Sequence, residues 1–183
     1  MSLKLNSSGG GSVTLQEPST ANNQTLTLPD NTGTLVSTAS TFAGTGPAFF
    51  AYRGSSQSIS AATFTKVQFG TEDFDTAGCY DSVTNYRFTP NVAGYYLINS
   101  SISVDAYSNR YTAYIYKNGS SYMEGFSNTG NATNSDSCGV YALMYLNGTT
   151  DYVEIYVQGN NAGTVSGGAP RQTSFQAFLA RAA

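Results

Sequence analysis

The chain has 183 residues, of which only 10% are charged, with 8 Lys and Arg against 11 Asp and Glu for a net charge of -3. It has no His and no Trp but 14 Tyr, 10 Phe and 19 Gly, and Ser, Thr and Asn make up about a third of it. Without His there is no Ser-His-Asp or Cys-His catalysis, no His-ligated zinc and no imidazole switch, and so few cations leave no footprint for nucleic acid.

The first 40 residues hold no aromatic side chain and three charged ones, Lys4, Glu17 and Asp30. They open on MSLKLNSSGGGSVTL, which lacks the apolar run of roughly 7–15 residues that a secretory leader needs. No stretch of the chain approaches the roughly 18 apolar residues of a membrane span. Short β-like pieces, Val13-Thr14-Leu15, Leu26-Thr27-Leu28 and Thr34-Leu35-Val36, alternate with turn chemistry. Too few apolar groups lie here to build a core. Residues 1–45 therefore read as an arm that is floppy in a monomer and ordered by sister chains or a larger assembly. Three such arms can wrap into a short fibrous shaft, pairing between chains the backbone groups that one chain leaves open.

From Gly46 onward strand follows strand. The predicted ones are Phe49 to Tyr52, Thr63 to Phe69, Tyr86 to Thr89, Tyr95 to Val104, Thr112 to Tyr116, Val140 to Leu146, Tyr152 to Gln158 and Phe175 to Ala180. Lys117-Asn118-Gly119 and Asn147-Gly148 each follow an apolar run and predict hairpin turns, because Asn and Gly both tolerate positive φ. No ten-residue amphipathic helical pattern interrupts the series. Residues 46–183 are thus expected to form an all-β sandwich of the jelly-roll kind. Cys79 and Cys138 have no metal-site spacing and are read either as buried small hydrophobes or as a disulfide.

Residues 80–104 read YDSVTNYRFTPNVAGYYLINSSISV and resemble the signature of the complement-1q globular-head family, a trimeric jelly roll related to tumour necrosis factor. Phe69, Asp75 and Tyr80 keep the family's spacing, as do Phe88, Gly94 and Tyr96. One extra residue lies between Tyr80 and Phe88, and Ile98 stands where the family usually has Phe. FFAYRGSSQSI (49–59) is similar to the family's opening strand, AYIYKNG (113–119) to its strand ending in Lys-Asn-Gly, and TSFQAFLA (173–180) to its closing strand, with Ala177 in place of Gly. The resemblance implies a homotrimer with a short N-terminal β-rich arm. Its core and trimer contacts are then expected from Phe69, Tyr80, Phe88, Tyr96, Tyr114, Tyr116, Phe175 and Phe178. Tyrosine suits such contacts because it joins apolar area to one polar tip. Alternation also puts Tyr114 with Tyr116, and Tyr141 with Tyr145, on one strand face. The arm lacks the Gly-X-Y repeat of animal members. Its GSVTLQ and NQTLTLPDNTGTLV instead resemble N-terminal segments of bacteriophage tail-fibre and decoration proteins, especially of phages infecting cyanobacteria.

Three chemistries are left. Glycan cleavage would need paired acids, for which Glu72, Asp73 and Asp75 or Asp151 and Glu154 are the local clusters; acids gather on surface loops anyway, so no enzyme is expected. No cofactor is expected either, although Ca²⁺ could draw on Asp73, Asp75, Asp81, Asp105 and Asp136. Glycan or receptor binding would use Tyr107, Asn109, Arg110 and Tyr111 with Phe126 and the loop that follows it. The expectation is a virion protein: a trimeric fibre or decoration head that contacts other virion proteins through its arm and a host-surface glycan or receptor through its head. A secreted bacterial adhesin or ligand of the same fold is the alternative, with a glycan-degrading tail protein third.

Overall fold

Every regular element of the described residues is a β-strand, as the alternating Tyr-, Val-, Ile- and Thr-rich sequence demands. The computed structural model describes residues 2–6, 8–16, 46–105, 110–128, 136–168 and 170–183. The chain divides into two units, Met1–Val36 and Ser37–Ala183. In the first, β1 (Ser2–Asn6) and β2 (Ser12–Gln16) form an antiparallel hairpin that pairs Leu3 with Leu15 and Leu5 with Val13. Across the Gly-rich bend, residues 2–6 thus satisfy backbone groups of residues 12–16 within one chain. The pieces expected at Leu26 to Leu28 and Thr34 to Val36 lie outside the described residues.

The second unit runs β3 (Ala48–Tyr52), β4 (Gln57–Ile59), β5 (Thr65–Lys66), β6 (Thr71–Asp75), β7 (Tyr80–Asp81), β8 (Arg87–Phe88), β9 (Gly94–Asp105) and β10 (Tyr111–Lys117). It continues with β11 (Ser120–Glu124), β12 (Phe126–Asn128), β13 (Asp136–Leu146), β14 (Val153–Gly159), β15 (Gly163–Val165) and β16 (Ser174–Ala182). An eight-stranded sheet has the order β12-β13-β9-β16-β3-β6, with β15 on β9 and β4 on β15. A six-stranded sheet has the order β11-β10-β14-β8-β7, with β5 on β14. Both are antiparallel, and most neighbours are distant in sequence, which is the jelly-roll pattern and not a meander.

Period-two alternation buries one row per strand. On β9 Tyr96 and Ile98 point inward and are fully buried while Tyr95, Leu97 and Asn99 point out. Phe49 of β3 is the hub of the core: its ring stacks on Tyr80 at 4.6 Å and on Phe88 at 4.8 Å and meets Phe175 edge-on at 4.9 Å. Phe88 in turn contacts Tyr96 at 5.4 Å. The buried phenols keep partners: Tyr80 donates to the Phe69 carbonyl at 3.1 Å and Tyr96 to that of Val92 at 2.7 Å. Burial pushes the Tyr96 phenol up to about 12. Cys79 and Cys138 are both buried and are not joined in a disulfide, so that alternative is not realised.

Two predicted elements come out differently. The strand expected over Thr63 to Phe69 shrinks to β5, because the Gln57 side chain takes the place of a neighbouring strand. Its amide donates to the Lys66 carbonyl at 2.8 Å and its oxygen accepts from the Gln68 amide at 3.0 Å. Asn147-Gly148 turns the chain but makes no hairpin, since β13 and β14 belong to different sheets. Asn147 Oδ1 accepts the amides of Thr149, Thr150 and Asp151 at 3.0, 3.0 and 2.9 Å, closing a loop that carries the chain across the sandwich. The other signal holds: Asn118 and Gly119, at φ 52° and 78°, join β10 to β11 in the primed turn a twisted hairpin needs.

Asp81 closes the turn after β7. Its carboxylate accepts the amides of Thr84, Val83 and Asn85 at 2.8, 3.0 and 3.1 Å and the Asn85 side chain at 2.7 Å. These bonds, the Thr84 amide foremost, outweigh desolvation and hold the group at about 2. A depressed carboxylate stabilises the fold above its unfolded value near 3.8 and loses that contribution as pH falls through about 2. Asp81→Asn, which cannot accept all four bonds, should be less stable than the parent at pH 7. The gap should close between about pH 4 and pH 2, read as urea midpoints across that range.

Candidate association and attachment surfaces

The outward row of the eight-stranded sheet is where the fold departs from an ordinary soluble surface. Register sets Tyr95 of β9 beside Tyr145 of β13, Leu97 between Leu143 and Phe178, and Asn99 between Tyr141 and Gln176. All the apolar members are exposed, Tyr141 at 66% and Leu143 at 61%. The Tyr95 and Tyr145 rings meet edge-on at 5.7 Å. No charged residue occurs from Tyr95 to Ser101, from Ser137 to Leu146 or from Ser174 to Ala180. Past the end of this face Arg181 borders an open hollow of about 460 Å³ lined also by Tyr95, Leu143 and Ala182. A contiguous, uncharged patch of Leu, Tyr and Phe is costly to leave in water and marks a contact surface.

The eight core and trimer aromatics sort into three places. Phe69, Tyr80, Phe88, Tyr96 and Phe175 are buried in the core. Phe178 faces outward on the apolar row. Tyr114 and Tyr116 lie half-buried on the outer face of the six-stranded sheet, where Tyr116 stacks on Tyr156 at 4.0 Å. Phe49, Leu97 and Leu143 were not singled out by the sequence, although the alternation of their strands carried the signal.

Of the proposed receptor residues, Tyr107 and Asn109 lie outside the described residues. Arg110 is exposed and pairs with Glu124 at 3.9 Å; Phe126, next after Gly125, is 59% exposed. Both therefore sit at the sandwich edge where β11 passes into β12. An open groove of about 390 Å³ is lined there by Met123, Glu124, Phe126, Val140 and Tyr141. Tyr111 corrects the expectation. It is 1% exposed, with its hydroxyl donating to the Ala162 carbonyl at 3.1 Å, so its ring belongs to the core and not to the surface.

Four of the five clustered acids are held in structural bonds, and Glu72 is exposed. Asp73 pairs with Arg171 at 2.8 Å, and Asp75 accepts the amides of Ala77 and Tyr80 at 3.1 and 2.7 Å. Asp151 is bound by Asn118 at 2.7 Å and Lys117 at 3.1 Å, which with the Asn147 amide hold its carboxyl below the ordinary range, the Asn118 bond first. Glu154 pairs with Lys66 at 2.8 Å. Among the described residues no three Asp, Glu or Cys side chains are placed to hold a metal; the side chain of Asp136 is not among them.

No family model matches the sequence, and no curated protein matches it. Solved structures do share its fold. The globular domain of zebrafish complement 1qA protein is 18% identical with a TM-score of 0.57, over 75% of this chain and 99% of that one. Murine APRIL is 12% identical with a TM-score of 0.57, over 73% and 98%. Eiger TNF from S. frugiperda is 11% identical with a TM-score of 0.55, over 75% and 95%. The chain therefore has the complement-1q/TNF-like jelly-roll fold, and at these identities the likeness concerns the fold alone.

Proposed function

We propose that this chain is a non-catalytic structural and binding subunit: a homotrimer of jelly-roll heads, carried on a virion through its N-terminal arm, that decorates the particle or attaches it to a host surface. The observation that carries the self-association is the uncharged apolar face over β13, β9 and β16, on which Leu97 sits between Leu143 and Phe178. Apolar and aromatic residues with few charges are the composition of an interface core. Closing a three-fold ring needs two different patches on each copy, and the face and the Phe126 edge groove, which share Tyr141, supply a pair. The resemblance of the arm to phage segments supports the virion setting. The engagement of Asp73, Asp75, Asp151 and Glu154 in structural bonds supports a role without catalysis.

Two measurements test this. Purified full-length protein should have three times the chain mass in solution; a monomer at micromolar concentration overturns the trimer. The same protein should bind susceptible bacteria and compete with phage adsorption. Failure of both removes attachment and leaves decoration alone.

A further inference from the structure

The outer face of the six-stranded sheet carries a second aromatic layer. Outward positions of an antiparallel sheet facing water are ordinarily polar. Here β10 and β14 place Tyr114 opposite Tyr156 and Tyr116 opposite Glu154. Phe64, just before β5, meets Tyr114 edge-on at 5.0 Å and Tyr116 at 6.2 Å, and is itself 49% exposed. Tyr156 stacks beneath Tyr116. The rings thus form one continuous layer with Phe64 at its open side.

Beside Tyr116 on the same face lies an ion pair. Glu154 is buried although it occupies an outward position, with Oε1 bound to Lys66 Nζ at 2.8 Å. Lys66 also donates to the Asn85 carbonyl at 3.1 Å. Glu154 Oε2 has, among the described residues, only the Tyr156 hydroxyl at 3.5 Å. A buried carboxylate oxygen with one long bond is short of donors. The two central charges cancel, so the middle of the face offers no field to an ionic partner.

We infer that this face is a binding site for neutral hexopyranose units of a surface glycan. A pyranose has an apolar C–H face that packs on an aromatic ring, here Phe64 with Tyr114 and Tyr116, and a rim of hydroxyl donors, one of which completes the bonding of Glu154 Oε2. A sialylated or sulfated sugar would have to desolvate its anion on a face that offers no countercharge, and is disfavoured. Three copies on one particle multiply a weak site. The inference rests on the attachment reading for the source of the glycan and names the class of its ligand.

Saturation-transfer NMR on the full-length protein tests it with the methyl glycosides of glucose, galactose and mannose, and with N-acetylneuraminic acid as the charged probe. Saturation should reach the ring C–H protons of at least one neutral glycoside and fall several-fold in Phe64→Ala, an exposed position whose truncation leaves the core intact. Glu154→Gln should weaken it as well; if that variant fails to fold, Phe64→Ala still decides. Transfer to none of the neutral glycosides, transfer unchanged by Phe64→Ala, or preference for the acidic sugar each overturns the site. Solution mass and adsorption are measured on the same samples. A trimer that adsorbs without taking up sugar sinks this site and spares the proposed function, whereas sugar uptake by a monomer does the reverse.

Discussion

Phe49→Ala should lower the free energy of unfolding by about 3–5 kcal/mol, the usual range for emptying a fully buried phenylalanine. The ring is 1% exposed and touches Tyr80, Phe88 and Phe175 at 4.6–4.9 Å, so truncation removes its own burial and leaves three rings facing a void. Those partners come from β7, β8 and β16, strands of both sheets. The void therefore lies between layers that cannot easily close on it. Phe50→Ala, one residue along and half-buried on the outward side, should cost much less. Denaturant midpoints at a fixed protein concentration, so that association contributes equally, compare the two. Equal losses would mean that Phe49 is not the hub.

Leu143→Lys should leave the subunit folded and abolish its association. Leu143 points away from the core at 61% exposure, so a lysine there is solvated in the single chain. In the proposed trimer it would lie in an uncharged face beside Leu97, and its charge would have to be desolvated without a partner. A central interface residue changed this way costs about 2 kcal/mol or more per contact, roughly thirtyfold in affinity. Closure of a ring repeats that cost at each interface. The expected result is a monomer by solution mass with an unchanged far-ultraviolet β spectrum. Val83→Lys, at a 78% exposed position in the turn after β7, is the control that should remain assembled. A Leu143→Lys trimer would exclude this face as the interface.

Several features could be read from local sequence because their cause is local. The alternation of β9 and the β10 turn at Asn118-Gly119 each depend on a few neighbouring residues. β11 was harder to see. All five of its residues are exposed, and an edge strand without a buried row has no alternation to show. The Asn147-Gly148 loop has the composition of a hairpin, yet the strand that follows pairs in the other sheet. Turn chemistry sets how the chain bends there, and the partner of the next strand is chosen elsewhere.

The candidate surfaces divide in the same way. Tyr114 with Tyr116 and Tyr141 with Tyr145 were expected to share faces, since a period of two requires it. Which face meets the core was not evident. Tyr111 looked like a receptor residue by its neighbours and proved to be buried, because β10 begins at that residue.

From the sequence alone the chain was already an all-β jelly roll, poor in charge, without imidazole chemistry, and with strands whose two sides differ. Those properties come from composition and from contacts along a single strand. Only the tertiary structure decided that the uncharged side of β13, β9 and β16 is one surface, that Phe49 rather than its neighbours centres the core, and that Glu154 is buried beside Tyr116 on an outward face. The physical reason is that sheet order and register join residues far apart in the chain, such as Leu97 with Phe178, and no local pattern encodes that pairing.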